Sequence, residues 1–265
     1  GVPPPASDHF WRYTVDATGT TFCPDPAATP GSETAWLVAA TAVQTTEGAS
    51  TRVMLDYAKG AFRAGTVTAA QWDVAVRGVA STAFGTDNVA SGQNSSALGG
   101  SLNIASGPFS TVAGGRNNMI SQGVLGSFIG GGVDTRGSLT NNRVEADTSA
   151  IGGGQINGIL GAAPANSADS FVGGGRGNRI YDGASHSVIG GGFMNNIDSV
   201  AGVGTQSQYC VIGGGAEQSI AQGSRWAAIL GGSQNSVAGE HATIGGGLAN
   251  TVAGSHAFVG GGQNN

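Results

Sequence analysis

The segment Ala-Thr-Ile-Gly-Gly-Gly-Leu-Ala-Asn-Thr-Val at residues 242–252 determines the architecture, because variants of it recur along the last two thirds of the chain. Its centre is the motif Gly-x-x-Asn, whose first residue we use as the anchor glycine of each copy. Nine copies occur, at residues 85–88, 100–103, 115–118, 154–157, 175–178, 192–195, 232–235, 247–250 and 262–265. Imperfect copies at Gly132 and Gly215 raise the number to eleven, spaced by 15 to 23 residues. Such self-similarity predicts a repeat architecture that works through a long surface.

Two columns of small or β-branched residues run through the copies, and they predict two short strands per coil. The first column lies three residues before the anchor: Ala97, Val112, Ile129, Ile151, Val172, Ile189, Ile212, Ile229, Ile244 and Val259. The second lies five residues after it: Ala90, Ala105, Ile120, Ile159, Ile180, Ile197, Ile220, Val237 and Val252. We expect each strand to point one of these residues into the core.

Neighbouring columns predict what lies on each side of the first strand. Five residues before the anchor, on the inward face, the side chains are small: Ser95, Ser110, Ser127, Ser149, Ser170, Ser187, Cys210, Ala227, Ala242 and Ala257. Four residues before the anchor, on the outward face, several are apolar: Phe128, Phe171, Val188, Val211 and Phe258. Because strands buried on both faces carry continuous apolar runs, the outer wall should pack against something. Self-association with cyclic symmetry is the economical solution.

The glycines and asparagines are expected in the turns, where both residue types tolerate positive φ. Asparagines at one place in successive coils can also form a ladder of side-chain amides. Coils stacked about 4.8 Å apart would make a rod of roughly 50 Å.

Composition excludes several classes of protein. The chain has 265 residues, of which 49 are glycine and only 10% are charged, with a net charge of −5. The low charge argues against a disordered tail, and the sign of the net charge argues against nucleic-acid binding. Glycine interrupts every apolar run before it reaches the length of a membrane span, so no membrane insertion is expected. Cys23 and Cys210 lie far apart and are compatible with a disulfide or with two free thiols.

The chain divides into two predicted parts. Residues 1–78 lack the repeat and are interpreted as a small β-rich cap or attachment domain, with strands at 9–15, 36–43 and 51–55 and a proline-rich loop at 23–31. Residues 79–265 form the Gly-rich repeat domain. A non-repetitive flank suits the open end of a solenoid, which needs a cap.

The repeat also resembles a known family. Ser-Thr-Ala-Phe-Gly at 81–85 and Ser-Ser-Ala-Leu-Gly at 95–99, with Ala-Ser-Gly at 90–92 and 105–107, are similar to the head repeat of trimeric autotransporter adhesins, the YadA-like head. Segments of trimeric phage tail fibres share this repeat. The resemblance covers about residues 75–265. It implies an all-β, left-handed parallel β-roll, three chains around one axis, and a role in surface attachment.

The predicted function is therefore that of an extracellular homotrimeric fibre, on a virion or a cell surface, that binds a cell-surface glycan or receptor. A phage tail fibre or spike is favoured by the unrelated N-terminal segment beside a Gly-rich roll. The alternatives are a bacterial adhesin, a purely structural virion or filament component, and a glycan depolymerase using carboxylates such as Asp169 and Asp182. No nucleophile elbow is visible and the turn residue is asparagine rather than the aspartate of calcium-binding rolls, so we expect no enzyme activity, cofactor or metal.

Two features are candidate ligand-binding sites. The column six residues before the anchor contains Asp169, His186, Tyr209, Trp226, His241 and His256, which would form a stripe whose aromatic faces can stack on sugars. A packed subunit interface is the alternative. Long copies place extra residues at about 140–148, 162–169 and 199–208, and insertions in a solenoid form surface loops that either bind ligands or have drifted neutrally.

Overall fold

The computed structural model describes residues 11–16, 19–24, 37–40, 48–56, 58–133, 142–161, 167–199 and 206–265. The described residues from Thr82 onward form an all-β parallel solenoid of about eleven coils. Together, the described residues include the 3-10 turn Val74–Val76 and contain no α-helix. Hence no helix in the described ranges has the length and apolarity that a membrane crossing requires.

Five strands precede the coils: β1 (Trp11–Asp16), β2 (Gly19–Pro24), β3 (Leu37–Ala40), β4 (Ser50–Asp56) and β5 (Ala61–Val67). β1 pairs with β2 and β2 with β3 in antiparallel fashion, β3 with β4 in parallel, and β4 with β5 in antiparallel. The strands predicted at 9–15, 36–43 and 51–55 overlap β1, β3 and β4. The predicted loop at 23–31 starts too early, because Cys23 and Pro24 belong to β2, and its residues 25–31 lie outside the described ranges.

The coils contribute two sheets, which we name the long sheet and the short sheet. In the coils the long sheet contains β6 (Thr82–Thr86), β8 (Ser96–Ala97), β10 (Thr111–Val112), β12 (Phe128–Ile129), β14 (Ala150–Ile151), β16 (Phe171–Val172), β18 (Val188–Ile189), β20 (Val211–Ile212), β22 (Ala228–Ile229), β24 (Thr243–Ile244) and β26 (Phe258–Val259). The short sheet contains β7 (Val89–Ala90), β9 (Ile104–Ala105), β11 (Met119–Ile120), β13 (Arg143–Val144), β15 (Gly158–Ile159), β17 (Arg179–Ile180), β19 (Asn196–Ile197), β21 (Ser219–Ile220), β23 (Ser236–Val237) and β25 (Thr251–Val252). β5 pairs in parallel with β6, so the N-terminal strands extend the long sheet.

Both predicted columns point into the core. Every strand pairs in register with the strand of the next coil, as Val172 does with Ile189 and Ile180 with Ile197. The second residue of each two-residue strand is buried, apart from Val259 in the last coil, which is partly buried. Each fully buried isoleucine or valine contributes about 1.5–3 kcal/mol relative to an exposed one. Each strand contributes only one side chain to the core, so the core is stable only when many coils stack continuously.

The small column lines the core as predicted, and its hydroxyls also connect the coils. Ser170 Oγ accepts a hydrogen bond from the backbone N–H of Ser187 at 3.3 Å and donates to the carbonyl of Ala184 at 3.2 Å. Cys210 continues the column, since its backbone N–H donates to Ser187 Oγ at 3.1 Å. These bonds satisfy buried backbone groups where the chain enters the long sheet, as buried polar groups require.

The asparagines of Gly-x-x-Asn form the expected amide ladder, but they do not occupy the positive-φ position of the turn. The residue before each asparagine does, as at Leu102 (φ 59°) and Met194 (φ 53°). Asn178 is fully buried; its Nδ2 donates to the carbonyls of Gly174 and Gly192, and its Oδ1 accepts from the backbone N–H of Asn195. The amide thus bonds one buried and two partly buried backbone groups, two of which belong to the next copy of the motif. Backbone satisfaction therefore accounts for the asparagine better than turn propensity does.

A buried charged cluster lies where the N-terminal strands meet the first coils. Arg63 is fully buried and donates hydrogen bonds to the carbonyls of Phe62, Ser81 and Ala90. Burial, followed by the proximity of Arg77, lowers the pKa of the Arg63 guanidinium to about 10. Arg77 forms an ion pair with Asp56 at 2.7 Å. The N-terminal end of the core is therefore polar. Carbonyl oxygens accept hydrogen bonds from the Arg63 guanidinium, and the Asp56 carboxylate pairs with Arg77.

Candidate functional site

The turn that leads from the short sheet back to the long sheet holds every residue of the predicted stripe in a left-handed conformation. Asp169, His186, Tyr209, Trp226, His241 and His256 have φ values of 53–59°. This conformation destabilises a residue with a side chain by roughly 1–2 kcal/mol, whereas glycine adopts it freely. Gly126 occupies the same place in an earlier coil. Glycine would avoid this backbone strain, so the presence of large rings indicates that their side chains stabilise the fold or bind a ligand.

The rings of five consecutive coils stack on one another, and we refer to His186, Tyr209, Trp226, His241 and His256 as the ring ladder. Successive ring centroids lie 4.9, 5.6, 4.7 and 4.9 Å apart, with interplanar angles of 22°, 6°, 9° and 12°. The backbone supports this order, because the N–H of His241 donates to the carbonyl of Arg225 in the preceding coil at 2.8 Å. The in-register solenoid thus aligns the rings along the rod.

Asp169 lies at one end of the ring ladder and is itself held in place. Its Oδ1 accepts a hydrogen bond from Thr148 Oγ1 at 2.6 Å, and its Oδ2 lies 3.5 Å from His186 Nε2. Thr148 sits in the equivalent turn one coil earlier, with φ 49°. The structure therefore brings all six predicted residues into one continuous strip and adds Thr148. Counting six residues back from Gly154 identifies Thr148 in the sequence.

The orientation of the rings changes the chemistry expected of the stripe. Each inner ring has its two faces against its neighbours, so those faces are not open for stacking on a sugar. The ring edges are open instead: Tyr209 is 44% and Trp226 46% exposed. A ligand that approaches the ring ladder from the side would meet ring C–H groups together with the Tyr hydroxyl, the indole N–H and the imidazole nitrogens.

Stacking and backbone strain make opposite predictions for Trp226→Asn. Asparagine tolerates the left-handed conformation and would relieve about 1 kcal/mol of strain. The substitution also removes two stacked ring contacts, each worth about 0.5–1.5 kcal/mol beyond area burial. We expect a net loss of about 1 kcal/mol, seen as a decrease of roughly 2–4 °C in Tm.

Phe109→Asn is the matched control for this variant. Phe109 has the same exposed turn position, with φ 57°, but no stacked ring partner among the described residues. Asparagine should therefore leave the Tm unchanged or raise it. Equal stabilisation by Phe109→Asn and Trp226→Asn would show that the ring contacts contribute nothing to stability.

The three predicted insertions are shorter or placed differently in the structure. Asn142 fills the asparagine ladder and Val144 the core column, so 142–148 are ordinary coil residues and the extra residues of that copy fall at 134–141. Ser167–Asp169 and Gln206–Gln208 likewise border regular coils. The ranges 134–141, 162–166 and 200–205 lie outside the described residues, and binding by the inserted segments stays a prediction.

Other groups do not assemble into a chemical site. The buried thiol of Cys210 is free, and burial raises its pKa to about 11, so it lacks the thiolate character of a reactive cysteine. In the part of the chain that the structure describes, no three His, Cys, Asp or Glu side chains converge as a metal site requires. His241 and His256 stack with nearly parallel planes, which directs their lone pairs side by side rather than toward one ion.

The strip is thus an exposed row of stacked rings with a carboxylate and a hydroxyl at one end, carried by a regular parallel solenoid. Comparison with known proteins does not assign a function to this strip. A scan against protein-family models and a search of the curated proteins find no match for the chain.

Proposed function

We propose that this chain is the subunit of a self-associating, homotrimeric extracellular fibre that attaches a virion or a cell to a cell surface. The observation that carries the proposal is the outer face of the long sheet. Phe128 and Phe171 on this face are 42% exposed and Phe258 is 72% exposed, with Leu98, Val211 and Leu230 beside them along the rod. Large exposed apolar patches mark interaction surfaces in soluble proteins.

Gly214 and Gly231, which lack positive φ, support a close approach by another surface. In the run 213–215, a Cβ on the first or last glycine would overlap a carbonyl oxygen of the next coil, which accounts for those two glycines within one chain. A Cβ on Gly214 would meet its nearest neighbour, the carbonyl of Gly191, only at 3.9 Å. Gly231 has open space around it. The single chain gives no steric reason for these glycines, whereas a second chain packed on this side would.

Trimeric state, attachment and location follow from the resemblance to YadA-like heads and phage tail fibres. A purely structural virion or filament component is the second candidate, because the outer face of the long sheet suits assembly whether or not a ligand binds. A rod that binds immobilised glycans or intact cells as the native particle supports attachment. A rod that assembles but binds neither is a structural component.

Phe171→Glu tests the proposed interface. The residue lies on the outer face of the long sheet and is partly exposed in the single chain, so its replacement should change the fold stability of one chain by no more than about 0.5 kcal/mol. A carboxylate buried in an apolar interface without a partner costs several kcal/mol for each copy. We expect sedimentation velocity to show dissociation of the native particle into monomers.

Ser236→Glu introduces the same charge on the outer face of the short sheet, which is polar there, and it should leave the particle mass unchanged. Circular dichroism of both variants verifies that the fold is retained. A Phe171→Glu particle with the mass of the parent would rule out this face as the interface.

A further inference from the structure

The edge of the ring ladder presents polar atoms that the protein leaves without partners. Four side chains of the ring ladder are exposed and, within the described residues, make no hydrogen bond to the protein: Tyr209, Trp226, His241 and His256. Both ring faces of Tyr209, Trp226 and His241 are covered by their neighbours, so the accessible part of these three rings is the edge, whereas His256 is covered on one face. Ring edges carry the positive end of the aromatic quadrupole and, in these residues, the heteroatoms.

The donors and acceptors of this row are mixed. A Tyr hydroxyl donates and accepts, an indole only donates, and a neutral imidazole has one donor and one acceptor. Hydroxyl groups of a ligand complement all of these, because each hydroxyl also donates and accepts. A ligand whose polar groups are carboxylates could use only the donors.

The charges beside the ring ladder do not favour a polyanion. Arg225 precedes Trp226, whereas Glu240 precedes His241 in the next coil, and Asp169 lies against His186. No field of one sign runs along the strip, and such a field is what steers charged polymers. The row therefore suits a neutral ligand better than an acidic one.

The spacing of the rings suits a ligand that is long. The rings follow the rod at steps of 4.7–5.6 Å, on a scaffold whose strands pair residue by residue. A chain lying along the rod meets a similar polar edge at each step. Contacts that repeat along one chain raise the affinity, because each additional contact is intramolecular.

We propose that the ring ladder is an axial docking strip for an extended, neutral, hydroxyl-rich polymer of the polysaccharide class, bound through hydrogen bonds to the ring edges. The inference rests on the proposed attachment function and specifies its ligand class and binding mode. The strip lies on the turns beside the long sheet, so binding at the ring ladder does not require the outer face of that sheet.

Calorimetric titration of the native particle tests the strip with neutral glucan and mannan oligomers, from disaccharide to octasaccharide, and with oligogalacturonates of the same lengths. Affinity for at least one neutral series should rise with oligomer length until the oligomer spans the ring ladder. Tyr209→Phe and Trp226→Phe each keep a ring in the stack and remove one ring-edge donor. Each should weaken binding about two- to tenfold, the worth of one hydrogen bond.

Tyr181→Phe is the control, because it removes a hydroxyl from the outer face of the short sheet and should leave the affinity unchanged. The inference is overturned if no neutral oligomer binds, if only the uronic acid series binds, or if Tyr209→Phe and Trp226→Phe bind as the parent does. If the particle attaches to cells but shows one of these results, the attachment function is supported and the docking strip is contradicted. If the protein is a monomer that still binds with the expected length dependence, the docking strip is supported and the trimeric fibre is contradicted.

Discussion

Replacing Asn195 by alanine is expected to lower the free energy of unfolding by about 3 kcal/mol, because the buried amide is the hydrogen-bond partner of one buried backbone N–H and of partly buried carbonyls. Its Oδ1 accepts from the N–H of Gln218 at 3.0 Å, and its Nδ2 donates to the carbonyls of Gly191 at 2.8 Å and Gly215 at 3.1 Å. The Gly215 carbonyl keeps a second donor, the N–H of Phe193, so two groups lose their partner. Each unsatisfied buried group costs about 1–3 kcal/mol.

Asn196→Ala is the control for Asn195→Ala, since it makes the same change one position along the chain. The Asn196 side chain lies on the outer face of the short sheet and donates only to Asp198, and its Oδ1 has no partner in the described residues. Thermal unfolding at one fixed protein concentration should give a decrease of roughly 6–12 °C in Tm for Asn195→Ala and little change for Asn196→Ala. Similar decreases for the two variants would show that the amide ladder is not a source of stability.

Gly215→Ala is expected to destabilise the rod by roughly 4 kcal/mol, whereas Gly214→Ala, one residue earlier, should have almost no effect on the single chain. Gly215 has φ 102°, a conformation that costs a residue with a side chain about 1–3 kcal/mol. A Cβ there would also overlap the carbonyl oxygen of Gly232, and overpacking adds about 1–3 kcal/mol. Gly214 has neither constraint.

The two glycine variants also separate the fold from the assembly. Urea unfolding of dissociated chains, made with the Phe171→Glu background, should show the large loss for Gly215→Ala and a change within about 0.5 kcal/mol for Gly214→Ala. In the parent background, Gly214→Ala should weaken self-association, because the added methyl group occupies the space that a second chain uses. Equal losses for both variants in the dissociated chain would contradict the steric role of the outer glycines in each run.

The sequence predicts the architecture well because one periodic pattern encodes it. Ile180, Ile189 and Ile197 lie in columns whose spacing defines strands, and β-branched residues that recur in this way are typical of strands. The place of the asparagines is harder to predict, since asparagine is common in turns and rare in cores. Only the pairing of coils shows that Asn178 and Asn195 face inward and satisfy the backbone.

The candidate site is predictable as a column but not as a surface. The spacing places Tyr209, Trp226 and His241 in successive coils, yet it says nothing about ring orientation, which depends on the left-handed turn and on the neighbouring rings. The position of the extra residues in the copy at Gly132 is also predicted wrongly from the spacing. An alignment anchored on glycine cannot show that Asn142 completes the turn, because the motif there is interrupted.

In the assembly that we propose, other copies of the chain cover the apolar outer face of the long sheet. The decisive measurement is the mass of the native particle in solution, by sedimentation equilibrium or light scattering. We expect a particle with three times the chain mass of 26.0 kDa. A particle with the mass of a single chain would contradict the proposed assembly, since the exposed phenylalanines of the long sheet and the sterically unconstrained glycines beside them would then have no partner.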